Sequence, residues 1–360
     1  MRKIIPDLTD ELLKHFKDAS KVGSSKPFLV KSFRKLVEHT AKLSFKNKDH
    51  LLFFRGQEGD FINRAGSSSF YPSIYRGDYL PKRELVNRFD ILDGASKSLV
   101  DLFELNKTEG HKELKRRKSI QWSILQHYEV CKTPLLDFTH SLSVACSFAS
   151  IENDNQYGYV FIFGLPYITN RITVNSEHDL INIRLLSICP PTALRPYFQE
   201  GYLAETDEIT DTFDSKSELD FNNRLIAKFR FPNNSTFWGK GFNKIPKRSL
   251  YPDKDPVYEL CKKIKKSADK QLMTGDIGDF LTSWAELEEK LLSLARKRTN
   301  RIVSIREAIS LQYIQRNFKK DELHQIDRLR IFRNKLVHTP NMVTSKEIQE
   351  YLILLEQLLK

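Results

Sequence analysis

The stretch Gly158-Tyr159-Val160-Phe161-Ile162-Phe163-Gly164 predicts a β-strand in the middle of the chain. Its aromatic and β-branched side chains follow one another between two glycines, a pattern typical of a strand that is buried on both faces. Leu51–Phe54 is a second short apolar run, which ends at Arg55-Gly56, and Arg224–Phe231 alternates apolar residues with others. With helical spacing over Glu84–Leu105, the first two thirds of the chain are predicted to be mixed α and β.

The pattern becomes wholly helical towards the C-terminus. Apolar residues recur three or four positions apart in three stretches, which is the spacing of an amphipathic helix. These stretches comprise Phe280, Trp284, Leu287, Leu291 and Leu294, then Leu323, Ile326, Leu329, Phe332 and Leu336, then Ile348, Leu352, Leu355 and Leu359. With a further helix at Val303–Ile314, they predict an all-α four-helix bundle. The predicted fold class is therefore α+β, with a mixed α/β part followed by a helical part.

Composition predicts a boundary between these two parts. At 360 residues the chain is long for one domain and sufficient for two, each with its own core. Prolines and glycines between residues 246 and 278 are spaced as in a connector, with one short Lys-rich helix at Val257–Lys270. We predict an N-terminal extension over residues 1–24, a first domain over 25–266, a linker over 267–279 and the bundle over 280–360.

Composition also limits the compartment and the partners. Acidic residues among the first dozen positions argue against a secretory or transit peptide, and the longest uncharged stretches are shorter than the ~17 apolar residues of a spanning helix. We therefore expect a cytoplasmic protein without membrane contact. Four widely spaced cysteines predict reduced thiols and no metal site. The net charge of +12 favours a polyanionic partner such as RNA, DNA or a dinucleotide.

A polar motif follows the second apolar stripe of the bundle, Arg333-Asn334-Lys335-Leu336-Val337-His338. Asn334 and His338 are four residues apart and share one face of the predicted helix. Arg333 lies about 140° around the helix from His338. The two side chains can therefore act on one substrate only in a cleft that both edges of the helix reach, such as the seam of a helix–helix dimer.

This motif resembles the Arg-polar-x-x-x-His motif of the HEPN superfamily, and the resemblance covers about residues 279–360. Many members of that superfamily are metal-independent endoribonucleases that act as dimers. The resemblance implies that Arg333 holds the scissile phosphate, that His338 moves a proton as the ribose 2′-hydroxyl attacks, and that Asn334 orients one or the other. Residues 281–360 hold 15 Lys and Arg against 10 Asp and Glu, a net +5 that suits RNA. Many HEPN-like bundles only dimerise or sense, and that alternative stays open.

Short motifs in the first part are, in their order, similar to those of the FRG domain. They are Phe54-Arg55-Gly56-Gln57, Tyr71–Arg76, Gln126-His127-Tyr128, Leu135–Thr139 with Val144–Ala149, Gly158–Phe161, Arg195-x-x-x-Gln199-x-Gly201-Tyr202 and Leu250–Asp253. The resemblance covers about residues 25–266. After Gln126-His127-Tyr128 the family usually has a glycine and a tight Pro-Thr turn, whereas Glu129–Pro134 is longer here by about one residue. We therefore expect a loop of different shape beside His127.

The layout of these motifs is similar to that of ADP-ribosyltransferase-like folds, which implies a nucleotide site with NAD as ligand or substrate. In such a site Arg55 would bind a pyrophosphate and Gly56 would allow the backbone to approach it closely. Gln199 or Glu200 would take the place of the carboxylate that stabilises an oxocarbenium-like transition state.

Five further residues belong to the implied site, namely Asp137, Thr139 and Ser141, which would brace the nicotinamide ribose, with His127 and Tyr128. The alternative for Arg55 is a structural role, buried against Asp137. His127 and Tyr128 could likewise be hydrogen-bonded residues of the core.

Three hypotheses follow for the function. In the first, the chain is a bacterial defence or toxin effector, in which a homodimeric bundle cuts RNA without a cofactor and the FRG domain senses a ligand or adds nucleotide chemistry. In the second, the FRG domain transfers ADP-ribose or cleaves NAD, and the bundle only dimerises it. In the third, both parts only bind, as a sensor or scaffold. The sequence does not identify an antitoxin or other defence partner.

Overall fold

The computed structural model of the chain describes residues 1–77, 80, 82–206, 215–296, 303–338, 343 and 345–359. These residues form two compact units, Met1–Lys266 and Ser267–Lys360, which we call the sheet unit and the helical unit. The sheet unit contains both helices and strands, whereas the elements described in the helical unit are α-helices. This agrees with the predicted order of a mixed part followed by a helical part.

One eight-stranded sheet forms the centre of the sheet unit, in the order β1-β8-β4-β2-β3-β7-β6-β5. The strands are β1 (Phe28–Leu29), β2 (Leu51–Gln57), β3 (Leu136–Thr139), β4 (Tyr157–Leu165), β5 (Ile172–Asn175), β6 (Leu180–Arg184), β7 (Gly201–Thr206) and β8 (Leu225–Pro232). β1 is parallel to β8, and the other neighbouring strands are antiparallel. β2 pairs with β4 along its whole length but with β3 only at Phe54 and Thr139, so a single residue pair joins the two halves of the sheet.

Helices cover this sheet and complete the unit. They are α1 (Asp10–Phe16), α2 (Phe33–Lys46), α3 (Lys82–Leu105), α4 (His111–Arg116), α5 (Lys118–His127), α6 (Leu142–Ser150), α7 (Leu185–Ile188), α8 (Arg195–Phe198), α9 (Ser235–Trp238) and α10 (Lys247–Leu250). Short 3₁₀ helices lie at Ala19–Lys21, Ser73–Tyr75, Lys216–Leu219 and Phe221–Arg224.

The three strands predicted from the sequence are β2, β4 and β8. From Val160 to Leu165 every residue of β4 is buried, which explains why its sequence is a continuous apolar run instead of an alternating one. Aromatic side chains from several strands meet beneath it. Phe138 and Phe70 contact Phe163 at centroid distances of 5.1 and 5.0 Å, both in edge-to-face geometry.

Residues 1–24, predicted to be an extension outside the first domain, belong to the core of the sheet unit instead. Leu12 and Phe16 of α1 are buried in the same cluster as the strand phenylalanines. The buried ammonium of Lys228 on β8 adds a polar anchor, since it donates to the Gly23 carbonyl and to the Asp60 carboxylate, each at 2.8 Å. A buried ammonium needs such partners, and they fix the N-terminal segment to the sheet.

A helix occupies residues 267–279, where we expected a linker. It is α11, which runs from Pro256 to Arg296. Pro256 stands at the first helical position, where proline is well tolerated, so it begins a helix and does not mark a loop. The carboxylate of Asp255 accepts hydrogen bonds from the amides of Val257 and Tyr258 and caps this start.

The helical unit also contains α12 (Ile305–Ser310), α13 (Gln312–Asn317), α14 (Lys320–His338) and α15 (Ser345–Leu359). The single helix predicted at Val303–Ile314 is thus two helices, because Leu311 between them has an extended backbone with φ −70° and ψ 130°. The core of the helical unit contains Phe280, Trp284, Leu329 and the stacked pair Phe332 and Tyr351. None of the described helices has the length and apolarity that crossing a bilayer requires.

Candidate functional site

A cleft of about 250 Å³ opens where the two halves of the sheet join. Its walls come from the ends of β2, β3 and α5, from the side of α6 and from the start of β7. The lining residues are Phe54, Arg55, Gly56, Gln126, His127, Glu129, Asp137, Phe138, Thr139, Phe148, Gln199, Gly201 and Tyr251. Six of the residues expected in the nucleotide site therefore meet in one cleft: Arg55, Gly56, His127, Asp137, Thr139 and Gln199.

Arg55 bridges the joint between β2 and β3. Its Nη1 donates to the main-chain carbonyl of Asp137 at 2.8 Å, while its Nε is buried and has no hydrogen-bond partner among the described residues. Burial and, to a smaller extent, the nearby Arg76 lower the pKa of Arg55 to about 10, against a smaller opposing effect of Asp137. Arg55 therefore remains a cation at neutral pH, with donor capacity that its neighbours do not use.

Asp137 and His127 lie close to each other in the cleft. The Oδ1 of Asp137 lies 3.8 Å from the Nδ1 of His127, and its Oδ2 accepts a hydrogen bond from Gln126 Nε2 at 2.5 Å. His127 is only 6% exposed, and its Nε2 is buried with no partner among the described residues. A buried polar atom without a partner costs about 1–3 kcal/mol, so this nitrogen and Arg55 Nε both favour a ligand that would satisfy them.

Gly56 makes its close approach to a helix. A Cβ at this position would lie 1.7 Å from the carbonyl oxygen of Ala145, so the missing side chain lets α6 pack against β2. This packing brings Phe148 of α6 to the cleft, whereas the sequence resemblance implied an approach to a pyrophosphate at Gly56.

Thr139, Gln199, Ser141, Tyr128 and Glu200 have different positions. Thr139 Oγ1 accepts from the Ser141 amide at 3.0 Å, and Gln199 donates to the Leu250 carbonyl at 2.8 Å. Ser141, at the start of α6, is not among the lining residues. Tyr128 is buried behind the cleft and donates to Asp255 at 2.7 Å. Glu200 is exposed, has a φ of 45° and does not line the cleft, so the carboxylates at the cleft come from Asp137 and Glu129.

Sequence reasoning did not assign Gln126, Glu129, Phe148 and Tyr251 to the site, although Gln126 and Tyr251 lie in the motifs that carried the resemblance. Burial and the negative charge of Glu129 raise the pKa of Tyr251 to about 12, so its phenol is neutral at physiological pH. Tyr251 also rests on Arg195, whose guanidinium carbon lies 4.7 Å from the ring centroid. Arg195 belongs to one of the motifs that carried the resemblance, but the local sequence does not indicate that it contacts Tyr251.

Among the described residues, no three His, Cys, Asp or Glu side chains are grouped so that they could hold an ion. The cleft instead offers a guanidinium, an imidazole, carboxylates and aromatic rings, which suit an organic ligand that carries an anionic group.

The second expected site lies on α14 of the helical unit. Arg333 Nη1 donates to the side-chain oxygen of Asn334 at 3.2 Å, and the Nε of Arg333 is buried with no hydrogen-bond partner among the described residues. His338 is exposed at the last residue of α14. Thr339 and Pro340, which follow it, lie outside the described residues. The three side chains thus belong to one helix, with His338 exposed and Arg333 and Asn334 half-buried.

Comparison with known proteins identifies one part of the chain. A family model described as the FRG domain matches residues 50–157. A search of curated proteins and a search of solved structures each gave no match. The matched segment includes β2, β3, α5 and α6, and with them Arg55, His127 and Asp137. The chain therefore contains an FRG domain at residues 50–157, which supplies most of the cleft.

Proposed function

We propose that the sheet unit is an NAD-cleaving or ADP-ribose-transferring enzyme and that its active site is the cleft at the joint of the sheet. The observation that carries this proposal is the meeting of Arg55 and Asp137, a cation and a carboxylate, in one cleft that also holds unpartnered buried nitrogens. Opposite charges at short range suit a ligand that is anionic at one end and becomes cationic at the other during reaction.

Arg55 is the group that would bind the phosphate end of the ligand. A guanidinium donates several hydrogen bonds in a plane and matches phosphate oxygens in pairs. One of its nitrogens holds the Asp137 carbonyl, and its Nε is still unused. The volume of about 250 Å³ lies just below the usual ~300–1,000 Å³ of small-molecule pockets, so it suits the part of a dinucleotide around the reacting bond.

Asp137 is the group that would stabilise the transition state. When the bond between ribose and nicotinamide breaks, positive charge develops on the sugar, and a fixed carboxylate lowers the energy of that charge. Asp137 is fixed by Gln126 and remains 38% exposed, whereas Gln199 is committed to the Leu250 carbonyl. We therefore assign to Asp137 the role that the sequence suggested for Gln199 or Glu200.

The test measures nicotinamide release from NAD and labelling of protein by ADP-ribose. We expect Asp137→Asn, which keeps the shape of the side chain, to lower the rate about 10²–10³-fold. The exposed Asp154→Asn is the matched control and should leave the rate unchanged. Arg55→Lys keeps the charge but loses paired donation, so it should weaken NAD binding. A wild-type protein that neither binds nor cleaves NAD would refute the proposal.

The helical unit supports a second candidate function, a metal-independent endoribonuclease that acts as a homodimer. The observation that favours it is that His338 is exposed while Arg333, five residues earlier on α14, has a buried Nε without a partner among the described residues. An imidazole open to solvent can reach an RNA 2′-hydroxyl, and the guanidinium suits its phosphate. In this case the cleft of the sheet unit would sense a nucleotide, in keeping with a defence or toxin effector.

This second function is tested with total RNA in the presence of EDTA. We expect His338→Ala to abolish cleavage, whereas His324→Ala, an exposed histidine on the same helix, should not change it. Size-exclusion chromatography with light scattering should also give the mass of a dimer. If neither His338→Ala nor Asp137→Asn changes any activity, the sensor or scaffold hypothesis is the one that remains.

A further inference from the structure

His127 has contacts on several sides in the wall of the cleft. It ends α5, is 6% exposed and lines the cleft, yet its Nε2 has no partner among the described residues. His39, His50 and His140 also have a buried ring nitrogen without a partner among the described residues, but of these four histidines only His127 lines the cleft.

The carboxylate of Asp137 orients the ring from one side. Its Oδ1 lies 3.8 Å from Nδ1, a distance that closes to a hydrogen bond with a small movement, as is common in sites without ligand. A proton on Nδ1 directed at Asp137 leaves the lone pair on Nε2, which is the form that accepts a proton.

The main chain of His127 is fixed from behind. Arg195 Nη1 donates to the His127 carbonyl at 3.3 Å. The guanidinium lies over the rings of Tyr128, Tyr251 and Tyr258 at 5.3, 4.7 and 4.6 Å, and the Arg195 amide donates to Asp255 at 3.0 Å. These contacts leave Arg195 little freedom, and through it they fix the turn that carries the histidine.

Gly201 packs against Leu185 and the His127 ring. A Cβ there would lie 2.7 Å from Leu185 Cδ1 and 3.2 Å from His127 Cε1, so a larger residue at the start of β7 would press on both side chains. Asp137, Arg195 and Gly201 come from three different elements, and all three act on the same side chain.

We propose that His127 is the general base of the cleft and that the acceptor of the reaction is a hydroxyl group. This inference rests on the proposed cleavage of NAD. Nε2 takes the proton of the acceptor O–H as its oxygen bonds to C1′ of the ribose, and the electrons of the breaking C1′–N bond pass to nicotinamide. The bound proton then leaves to solvent. No oxidant, reductant or further co-reactant is needed.

The experiment uses the full chain and NAD labelled in its adenylate half. We expect His127→Ala to lower kcat for nicotinamide release about 10²–10⁴-fold while the dissociation constant for NAD changes less than threefold. Added imidazole should restore part of the rate to His127→Ala, and His324→Ala is the matched control. Free ADP-ribose identifies water as the acceptor, and a label that mass spectrometry locates on serine, threonine or tyrosine identifies a side-chain hydroxyl, and both support the proposal. A label on any other residue type would overturn it.

Two further results separate this inference from the proposed function. A His127→Ala protein that cleaves NAD at the wild-type rate would overturn the base and leave the proposed function intact, whereas a wild-type protein without any NAD cleavage removes both. Should His127→Ala fail to fold, His127→Gln keeps a polar side chain of similar size. The same loss of kcat is expected for it, and a wild-type rate in that variant overturns the proposal.

Discussion

Glu129 carries a backbone conformation that its residue type disfavours. It follows α5 with a φ of 54°, and the amides of Glu129 and Val130 donate to the carbonyls of Gln126 and Leu125. This is the Schellman arrangement, in which glycine is the usual residue at the left-handed position. After Gln126-His127-Tyr128 the FRG family usually has a glycine, whereas in this chain Glu129 follows and takes the left-handed conformation.

We predict that Glu129→Gly stabilises the protein. Relief of the left-handed conformation is worth about 1–2 kcal/mol, of which the extra freedom of glycine in the unfolded chain removes about 0.4–1. The 4.0 Å contact with Arg195 is lost, but its carboxylate is 62% exposed and so contributes little. A net gain of about 0.5 kcal/mol should raise the urea midpoint. Glu58→Gly, in an exposed loop without positive φ, should lower it.

Gly56 is the residue at which a methyl group should do most harm. Because a Cβ there would lie 1.7 Å from the backbone of α6, Gly56→Ala must displace the helix from the sheet, at a cost of about 1–3 kcal/mol or more. Urea unfolding measures the loss. At Gly59 the nearest atom to a new Cβ is 4.0 Å away, so Gly59→Ala should differ little from wild type. Equal losses in both variants would contradict this account.

The sequence predicted which residues line the cleft better than it predicted the hydrogen bonds that these residues make. Arg55 and Asp137 were expected together, and their elements are neighbours in the sheet. Their relation is nevertheless a bond from the guanidinium to the Asp137 carbonyl, not to its carboxylate, which local pattern cannot specify. Arg195 and Asp255 act through tertiary contacts more than fifty residues apart, and no periodicity in the chain encodes such contacts.

At the scale of elements, the strands were predicted where burial makes their sequences distinctive. β4 and β8 have continuous or alternating apolar residues. β3 and β5 have only four residues each, and none of those in β5 is buried, so neither stands out from a loop. Helix α11 was predicted in pieces because glycines and a proline within a sequence usually end a helix. Here Pro256 begins the helix. Each glycine within it costs about 1 kcal/mol of helix stability, which is less than the packing of the apolar residues that follow contributes.

His140 links three strands and gives the sheet a pH dependence. Its ring stacks on Tyr202 of β7 at 4.3 Å and lies 4.2 Å from Phe53 of β2. Burial, with a smaller contribution from Arg184, lowers its pKa from 6.5 to about 4. The folded state therefore prefers the neutral ring. The stability that depends on neutral His140 is present above pH 6.5 and is lost as the pH falls towards 4.

We predict that His140→Phe reduces this acid sensitivity, since it keeps an aromatic ring but cannot be protonated. The free energy of unfolding, measured in urea at pH 7 and pH 5, should fall less in His140→Phe than in wild type. The exposed His324→Phe should behave as wild type does. Identical losses in all three proteins would show that His140 does not cause the effect.

At the scale of the whole molecule, each hydrophobic cluster of the described residues belongs to one unit. The clusters around the sheet draw on residues up to Ile264, and those of the helical unit begin at Phe280. Separate cores predict separate unfolding transitions in calorimetry.

Phe332→Ala tests this independence. Phe332 is 3% exposed, stacks on Tyr351 at 4.0 Å and meets Phe280 at 5.2 Å, so truncation should cost about 3–5 kcal/mol. We expect one calorimetric transition to move to lower temperature while the other stays. Ile331→Ala, one residue away and 54% exposed, should move neither by more than about a degree. A common shift of both transitions would mean that the units unfold together.

The single residue pair between β2 and β3 has a dynamic consequence. Because only Phe54 and Thr139 pair between β2 and β3, we expect local opening of the sheet to occur there most readily. The hydrogen bond from Arg55 to the Asp137 carbonyl opposes this opening. A ligand bound between the side chains of Arg55 and Asp137 would hold β2 and β3 together and so stabilise the junction. Deuterium uptake by the amides of β2 and β3 should then slow when the cleft is filled, even though the bound molecule touches few of those amides itself.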